Sequence, residues 1–364
     1  RSAVALRLRA DVPFGAFLSG GVDSSSVVGM MSQVSDEPIR TYAIGFEDER
    51  YDESGFAQMA ADRFHTLHQS KKVHTDVLSL WPKAIYHCDQ PHGDVSFIPT
   101  YCVAELASRD LKLVLTGDGG DELFAGYDKY KNFFAKNTID LNHRQSFYQA
   151  YFNSISLFSE NEKQTLYHPG VKRELSQLKS IDVVADAFNK TTHMDPINQA
   201  LYVDCQYLLP GNNLVKPDRM GMAVSLEART PFLDVNMMEM AFQIPGDLKL
   251  KNGETKYIFK KAVSELIGKE LTYRKKQMFT VPIGDWFRDQ AQYLLRDVLL
   301  SEQCLSRGFF EPKAIKNMVA SHARSEKNYT RELRAIMAVE LWCQMFLDGE
   351  IKREKRLSGS AINA

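Results

Sequence analysis

The 364-residue sequence has few cysteines, and their spacing is not that of a metal site. Its five cysteines are far apart, and no two of them form a CxxC pair. Structural zinc sites and disulfide frameworks both need regularly spaced cysteines, so we expect neither, and we expect a reducing compartment. The nine histidines form no HxxxH or HExxH pattern. A zinc site of the metalloprotease type is therefore not expected either.

The sequence also lacks a membrane-spanning stretch and a strong net charge. No segment approaches the roughly 20 consecutive apolar residues that cross a bilayer, and no signal peptide opens the chain. The formal net charge is -1, which provides no positive field to attract nucleic acid or an anionic membrane. We therefore expect a cytoplasmic protein that binds small molecules, with no nucleic-acid or membrane partner.

The first 130 residues show an alternation of predicted strands and helices. Strands end at glycine-rich turns, and helical stretches carry apolar residues on one face. Such alternation predicts an α/β lobe over residues 1–130, with a parallel sheet covered by helices on both faces. The predicted strands are Phe14–Leu18, Ile39–Phe46, Leu67–Val73 and Leu111–Thr116, and the predicted helices are Ser25–Met31, Glu53–Phe64 and Thr100–Ser108.

Residues 131–350 are predicted to form a second, mainly α-helical lobe. The chain is too long for a single hydrophobic core, and strand signals are few in this part. Ser159 and Glu162 have the spacing of a capping box that opens a helix. In Arg331–Phe346 every fourth residue is Leu or Met, which predicts a helix packed on a core. Residues 351–364 are charged and then small and polar, so we expect a flexible tail.

The motif Ser19–Ser25 joins the first predicted strand to the following helix. Its sequence, SGGVDSS, combines glycines that let the backbone approach a ligand with hydroxyls that donate hydrogen bonds. It also precedes a helix N-terminus, whose free N–H groups and positive dipole end favour an anion. The motif lacks the GK[ST] of a Walker loop and so has no lysine for a γ-phosphate. It resembles the pyrophosphate-binding loop of ATP pyrophosphatases, which implies transfer of AMP.

A second glycine-rich turn, within Leu115–Tyr127, follows another apolar strand and carries three acidic residues. The carboxyl ends of parallel strands meet at one edge of the sheet, so this turn can share a crevice with the first. Acidic side chains would repel a triphosphate unless a cation lay between them. Mg²⁺ held by one or two carboxylates and phosphate oxygens removes that conflict. Asp23 and Asp121 are the predicted metal ligands; the alternative is an acidic surface loop.

A third segment, Leu214–Asp234, interleaves charged and apolar residues. Charges among apolar residues are costly to bury unless they are paired. Asp218, Arg219, Glu227 and Arg229 are therefore expected to form structural ion pairs between the two lobes.

Together these blocks resemble the C-terminal domain of glutamine-dependent asparagine synthetases. The similarity runs from about Arg9 to about Arg288 and includes four further pieces of sequence, Thr41–Phe46, Ser96–Tyr101, Gly253–Lys256 and Arg274–Pro282. The resemblance implies an adenine nucleotide alpha-hydrolase-like core of the PP-loop ATP pyrophosphatase type with a helical second lobe. It also implies ATP and Mg²⁺ as cofactors. Many members have Glu where this chain has Asp118, which is one methylene shorter.

The resemblance also implies site residues. Lys256 and Asp118 would be catalytic, and a carboxylate substrate would lie near Asp118, Glu122 and Ser96. For Lys256, the alternative is a solvated lysine beside Lys260 and Lys261. The residues expected around ATP and pyrophosphate are Leu18, Ser19, Gly20, Gly21, Asp23, Ser24, Ser25, Ile44, Thr116 and Gly117.

The implied reaction is adenylation of the aspartate side chain, followed by attack of ammonia to give asparagine. One alternative is a relative that amidates a different carboxylate or closes a ring, as β-lactam synthetases do. Another is an inactive nucleotide-binding scaffold, against which the intact first motif, Asp121 and Lys256 argue. The family's cysteine nucleophile has no counterpart here, and the sequence begins with Arg1. We therefore expect the full-length protein to add an N-terminal glutaminase domain, and a homodimer is a further expected partner state.

A direct prediction concerns the nitrogen source. A protein of these 364 residues should form amide product with ammonium salts, because ammonia attacks the adenylate without help from another domain. It should not do so with glutamine, because the cysteine that starts glutamine hydrolysis is missing. Product formation with each nitrogen donor, measured by mass spectrometry, checks this. Glutamine-dependent product from the purified chain would contradict it.

Overall fold

Five short strands form one parallel sheet in the computed structural model of this protein, which describes residues 1–137, 139, 143–275, 283–288 and 291–349. The strand order is β3-β2-β1-β4-β5, and all four neighbouring pairs are parallel. This confirms the predicted α/β class with a parallel sheet. The strands are β1 Phe14–Phe17, β2 Arg40–Phe46, β3 Leu67–Val73, β4 Leu113–Leu115 and β5 Glu227–Arg229.

The strands at the centre of the sheet are apolar because helices cover both of their faces. All three residues of β4 are completely buried. Leu113 and Leu115 belong to a core that includes Val27 and Met31 on the helix after β1. The edge strand β3 is exposed at most positions and carries two adjacent lysines, and charged side chains of this kind discourage pairing with another chain's strand.

Helices make up most of the remaining described chain. In chain order the α-helices are α1 Ser2–Arg7, α2 Val22–Ser32, α3 Ser54–Arg63, α4 Trp81–Cys88, α5 Phe97–Ala107, α6 Gly120–Phe124, α7 Asp128–Lys136, α8 Arg144–Ile155, α9 Glu160–Leu166, α10 Pro169–Glu174, α11 Ser180–Lys190, α12 Pro196–Val203, α13 Val215–Met222, α14 Val235–Gln243, α15 Gly246–Lys249, α16 Tyr257–Ile267, α17 Lys269–Tyr273, α18 Ile283–Trp286, α19 Gln292–Leu294, α20 Glu302–Ser306, α21 Pro312–Ala323 and α22 Thr330–Phe346. The 3₁₀ helices are Thr75–Leu80 and Pro231–Leu233, and the π-helices are Asp204–Leu214 and Leu295–Leu299. Among the described residues, none of these helices combines the length and the apolar character that a membrane crossing requires.

The chain divides into two compact units that alternate along the sequence. Taking the described residues of each, the first comprises Arg1–Val73, Thr100–Ile155 and Ser180–Phe279, and the second His74–Pro99, Ser156–Lys179 and Thr280–Ala364. The first unit contains the whole sheet. The described residues of 131–155 and 180–275 fall in the same unit as the sheet, and the single division expected after residue 130 stays a prediction.

Most elements predicted from periodicity are present within one to three residues of the predicted bounds. The capping box at Ser159 and Glu162 is formed in both directions at the start of α9. The Leu and Met stripe of α22 is buried, as predicted. Strand β5 was not predicted, because its sequence is only Glu-Ala-Arg. The tail expected at 351–364 lies outside the described residues.

A buried carboxylate anchors the long π-helix of the first unit. Asp204, at its first residue, is completely buried, and its Oδ2 accepts hydrogen bonds from the Tyr130 hydroxyl at 2.5 Å and the Tyr151 hydroxyl at 2.9 Å. The Lys129 ammonium lies 2.6 Å from the same oxygen. A buried charge is tolerated when it is paired and hydrogen-bonded in this way. The anchor fixes the start of a helix that carries Asn213.

We predict that Asp204→Ala lowers the free energy of unfolding by about 3 kcal/mol, because two buried tyrosine hydroxyls lose their acceptor. Tyr151→Phe removes one donor only and should cost about 1 kcal/mol. Urea unfolding of both variants measures the difference. If the two substitutions cost the same small amount, Asp204 does not anchor the helix.

Candidate active site

The two glycine-rich turns lie against each other at the carboxyl end of the sheet. They follow β1 and β4, which are adjacent parallel strands. A Cβ atom added at Gly117 would lie 2.9 Å from both the Asp23 Cβ and the Ser24 backbone nitrogen. At Gly120 it would lie 2.7 Å from the Asp23 Oδ1. At Gly117 the short distance is to backbone, so the contact between the turns requires glycine there, whereas a side chain at position 120 would displace the Asp23 carboxylate.

Within the first turn, hydroxyl groups and a left-handed glycine fix the backbone. Gly20 has a φ of +69°, and an added Cβ would lie 2.3 Å from the Phe56 carbonyl carbon. The hydroxyls of Ser19 and Ser24 are 3.1 Å apart and share a hydrogen bond. The Gly21 N–H donates to the Ser19 oxygen at 3.3 Å. The turn therefore has one closed conformation that only glycine at position 20 permits.

Helix α2 begins directly after Gly21, so its N-terminus lies at the end of this turn. Its first N–H groups and the positive end of its dipole are suited to an anion. The Ser25 side chain in its first turn is completely buried. Its Oγ has no hydrogen-bond partner in the part of the chain that the structure describes. A buried hydroxyl of this kind can bind a phosphate oxygen, so the residues present fit a nucleotide phosphate.

Lys256 connects the two turns electrostatically. Its side chain is 3% exposed, and its Nζ donates a hydrogen bond to Asp23 Oδ2 and lies 2.7 Å from Asp121 Oδ1. Burial by itself would favour the neutral amine. The negative charges of Asp121 and Asp23 outweigh burial and raise the pKa of Lys256 above its usual value. The lysine is therefore a buried cation held between two carboxylates.

Two backbone features bring Lys256 to this position. Lys256 itself has a left-handed φ of +54° and immediately precedes α16. A Cβ added at Gly126 would lie 1.9 Å from Asp121 Oδ1 and 2.1 Å from Lys256 Cε. Only glycine therefore leaves room for the lysine to reach Asp121. Gly126 was not predicted as a site residue, although it lies in the second motif.

Asp118 occupies the middle of the second turn. Its Oδ2 accepts a hydrogen bond from the Thr116 hydroxyl at 2.6 Å. Loss of hydration raises the pKa of Asp118, and the charges of Asp121 and Asp23 add to this, whereas the Thr116 bond and the Lys216 charge oppose it. A carboxyl group whose pKa is raised by burial beside other carboxylates is a candidate for proton transfer in a catalytic site.

Glu122 is held by two donors from different elements. It is 1% exposed, and its Oε1 accepts from the Tyr127 hydroxyl at 2.7 Å and from Asn213 Nδ2 at 2.5 Å. Burial raises its pKa, the charge of Asp121 adds to this, and the two hydrogen bonds partly offset it. Asn213 lies on the π-helix and was not predicted. No local sequence pattern indicates that this helix reaches the turn.

Arg274 is a third residue that the sequence analysis did not single out. Its guanidinium lies 2.7 Å from Glu53 and donates to the Gly20 carbonyl at 2.9 Å. It also lies over the Phe56 ring, 4.5 Å from the centroid. Arg274 therefore holds the first turn against α3. Arg274 begins the stretch Arg274–Pro282 that is similar to asparagine synthetases, and this similarity could have indicated a site residue. Residues 276–282 of that stretch lie outside the described residues.

The structure does not place every predicted site residue in this cluster. Leu18 and Ile44 are buried residues of the sheet region, 1% and 5% exposed. Ser96 belongs to the second unit, where it is buried and its N–H donates to Asp94 at 3.0 Å. The roles predicted for these residues, and for the others, stay predictions.

The charged residues of the third segment pair with near neighbours in sequence. Arg229 lies 2.7 Å from Glu227, and Arg219 lies 3.7 Å from Asp218. Both pairs fall within the first unit. The observed pairs are therefore local and partly exposed, and they are not the buried pairs between lobes that we expected.

Comparison with known proteins agrees with the geometry of these turns. The family model described as "Asparagine synthase" matches residues 1–344. A protein of Bacillus subtilis named asparagine synthetase [glutamine-hydrolyzing] 1 is 28% identical over 93% of this chain and 57% of its own length. A Methanocaldococcus jannaschii protein named putative asparagine synthetase [glutamine-hydrolyzing] 2 is 44% identical, over 38% of this chain and 27% of its own length.

A more distant relative has a different name. The Penicillium rubens protein Amidase chyE is 24% identical over 91% of this chain and 57% of its own length. The chain spans little more than half the length of the relatives that it matches along most of its own length. Because the family model covers almost all of the sequence, the chain belongs to the asparagine synthase family.

Proposed function

We propose that this chain is the synthetase part of an ATP-dependent amide-forming ligase. It transfers AMP from ATP to the side-chain carboxylate of aspartate, and ammonia then displaces AMP to give asparagine. The names of its relatives support the choice of aspartate. The observation that carries the proposal is the buried Lys256 at the junction of the two turns, beside a helix N-terminus suited to phosphate.

In the first step, an oxygen of the aspartate carboxylate attacks the α-phosphorus of ATP. The bond between the α-phosphorus and the bridging oxygen to the β-phosphorus breaks, and pyrophosphate leaves with that oxygen. Negative charge develops over the transferred group, so a positioned cation lowers the barrier. Lys256 is buried and protonated in the cluster, which suits it to that role. The Ser19–Ser25 turn holds the pyrophosphate portion.

The residues present also fit Mg²⁺. In the described part of the chain, no group of three or more His, Cys, Asp and Glu residues is arranged to hold a metal ion, so the protein would supply few ligands. Mg²⁺ is commonly bound by one or two carboxylates together with phosphate oxygens. Asp23 and Asp121, which converge on one cation in the structure, would hold it. When bound, it would neutralise phosphate oxygens.

In the second step, the nitrogen of ammonia attacks the acyl carbon of aspartyl-AMP. The bond from that carbon to the AMP oxygen breaks, AMP leaves, and the nitrogen loses a proton. Asp118 has a raised pKa, so its carboxylate can accept that proton. Glu122, whose orientation is fixed by Tyr127 and Asn213, borders the space for the substrate.

A second candidate is amidation of a different carboxylate. The observation that favours it is the set of relatives named amidases, of which Amidase chyE matches most of the chain. The adenylation chemistry would be the same in both cases. In both, the Ser19–Ser25 turn and Lys256 would have the same roles.

One experiment tests the proposed function directly. Pyrophosphate release is measured with ATP, Mg²⁺ and ammonium, with aspartate as the only carboxylate, and the product is identified by mass spectrometry. Aspartate-dependent pyrophosphate together with asparagine supports the proposal. Pyrophosphate release only with other carboxylic acids would replace it by the second candidate.

We predict that Lys256→Ala lowers kcat by roughly a hundredfold or more, with little change in the KM for ATP when Mg²⁺ is saturating. The reason is that Lys256 acts on charge that develops in the transition state. Lys260→Ala is the matched control, because Lys260 lies one turn along the same helix and pairs only loosely with Glu254, at 3.5 Å. Steady-state kinetics of both variants measure the contrast. Equal, small effects would show that Lys256 has no such role.

We also predict that Asp23→Asn and Asp121→Asn raise the KM for Mg²⁺-ATP by at least about tenfold, because each removes a proposed metal ligand. The KM for aspartate should change less. Asp128→Asn, which alters an exposed carboxylate on α7, should leave both constants unchanged. Normal use of ATP by both site variants would show that the metal assignment is wrong.

A further inference from the structure

The two carboxylates proposed for the metal already share a cation. Lys256 Nζ contacts Asp23 Oδ2 and lies 2.7 Å from Asp121 Oδ1, and the three side chains are 3%, 18% and 17% exposed. The contact joins residues 233 positions apart in the sequence. It is therefore a feature of the folded site and does not arise from local helix geometry.

The contact is also built into the backbone. The glycine at position 126 leaves space that any side chain would fill at 1.9 Å from Asp121 Oδ1. Lys256 adopts a left-handed conformation that costs free energy in a residue other than glycine. A strained backbone and a required glycine both serve to bring one ammonium group between the two carboxylates.

Two cations at one pair of carboxylates repel each other, and in a largely buried site water screens that repulsion poorly. A divalent cation that binds Asp23 and Asp121 through the same oxygens must therefore displace the ammonium group. Displacement costs the two contacts that Lys256 makes. The site should thus bind a divalent cation weakly by itself and more strongly when other groups can accept the lysine.

We propose that Lys256 is an exchangeable counter-ion that competes with the divalent cation for Asp23 and Asp121. Release of Lys256 from the carboxylates is then coupled to arrival of the cation, and the freed ammonium can turn to the phosphate groups. Lys256 thus occupies the metal position before the cation binds and then supplies the positive charge for catalysis. This inference rests on the proposed function for its metal ligands and its phosphate substrate.

The test measures binding of Mn²⁺ to the 364-residue chain without nucleotide or carboxylate. Electron paramagnetic resonance reports the free ion directly. Lys256→Met removes the competing charge and keeps an unbranched side chain of similar length, so it should bind Mn²⁺ at least tenfold more tightly than the wild type. Lys260→Met, the matched control on the same helix, should bind as the wild type does.

A second substitution locates the gained site. Adding Asp121→Asn to Lys256→Met should abolish the gain, because one of the two ligands is lost. The proposal is overturned if Lys256→Met binds no more tightly than the wild type, if Lys260→Met gains as much, or if the gain survives Asp121→Asn.

If Lys256→Met is less stable than the wild type, the shift of its Tm on addition of Mn²⁺ still reports metal binding. A ligand that binds only the native state stabilises it. Mn²⁺ should therefore raise the Tm of Lys256→Met more than that of the wild type, and an equal or smaller rise would overturn the proposal. Failure of the wild type to release pyrophosphate with any carboxylate would instead disprove the proposed function, and these Mn²⁺ measurements would remain interpretable by themselves.

Discussion

A protonated lysine buried between two carboxylates is the interaction on which the site depends. Removing an ammonium ion from water is costly unless nearby charges compensate it. Asp23 and Asp121 provide that compensation for Lys256, and they hold its pKa above the usual value despite burial. Each of the three residues comes from a different segment, so the ion pairs fix the relative positions of both turns and the start of α16.

The same interaction explains why glycines recur in the second turn. Gly117 and Gly120 allow it to touch Asp23 and Ser24 of the first turn, and Gly126 makes room for the lysine. Each of these three glycines thus permits one contact between Asp23, Ser24, Asp121 and Lys256. Asp118 and Glu122 lie in the same acidic turn, and both have raised pKa values. Positively and negatively charged groups with shifted pKa values, gathered at the carboxyl ends of parallel strands, are typical of a catalytic site.

Much of the fold could be predicted because its signals are local. Apolar strands followed by glycine-rich turns indicated β1 and β4, and apolar periodicity indicated α3 and α22. Strand β5 could not be predicted, since three residues with two charges form a strand only because β4 offers a free edge. The two discontinuous units could not be predicted either, because they depend on which distant segments pack together.

The candidate site shows the same division between local and long-range information. The turn at Ser19–Ser25 was recognisable from its composition, and Lys256 from its family motif. That Lys256 pairs with Asp23 and Asp121 depends on contacts across more than a hundred residues. Asn213 and Arg274 were missed for the same reason. Each binds a turn that is remote in sequence, and neither lies in a pattern whose spacing indicates a ligand.

Transfer of a labelled oxygen is the most direct measurement of adenylation by this chain. Aspartate whose side-chain carboxylate carries heavy oxygen is incubated with ATP, Mg²⁺ and ammonium, and the products are analysed by mass spectrometry. Attack of the carboxylate on the α-phosphorus predicts one heavy oxygen in the phosphoryl group of AMP and none in pyrophosphate. Heavy oxygen in inorganic phosphate, with ADP as the nucleotide product, would show phosphorylation of the carboxylate and contradict adenylation.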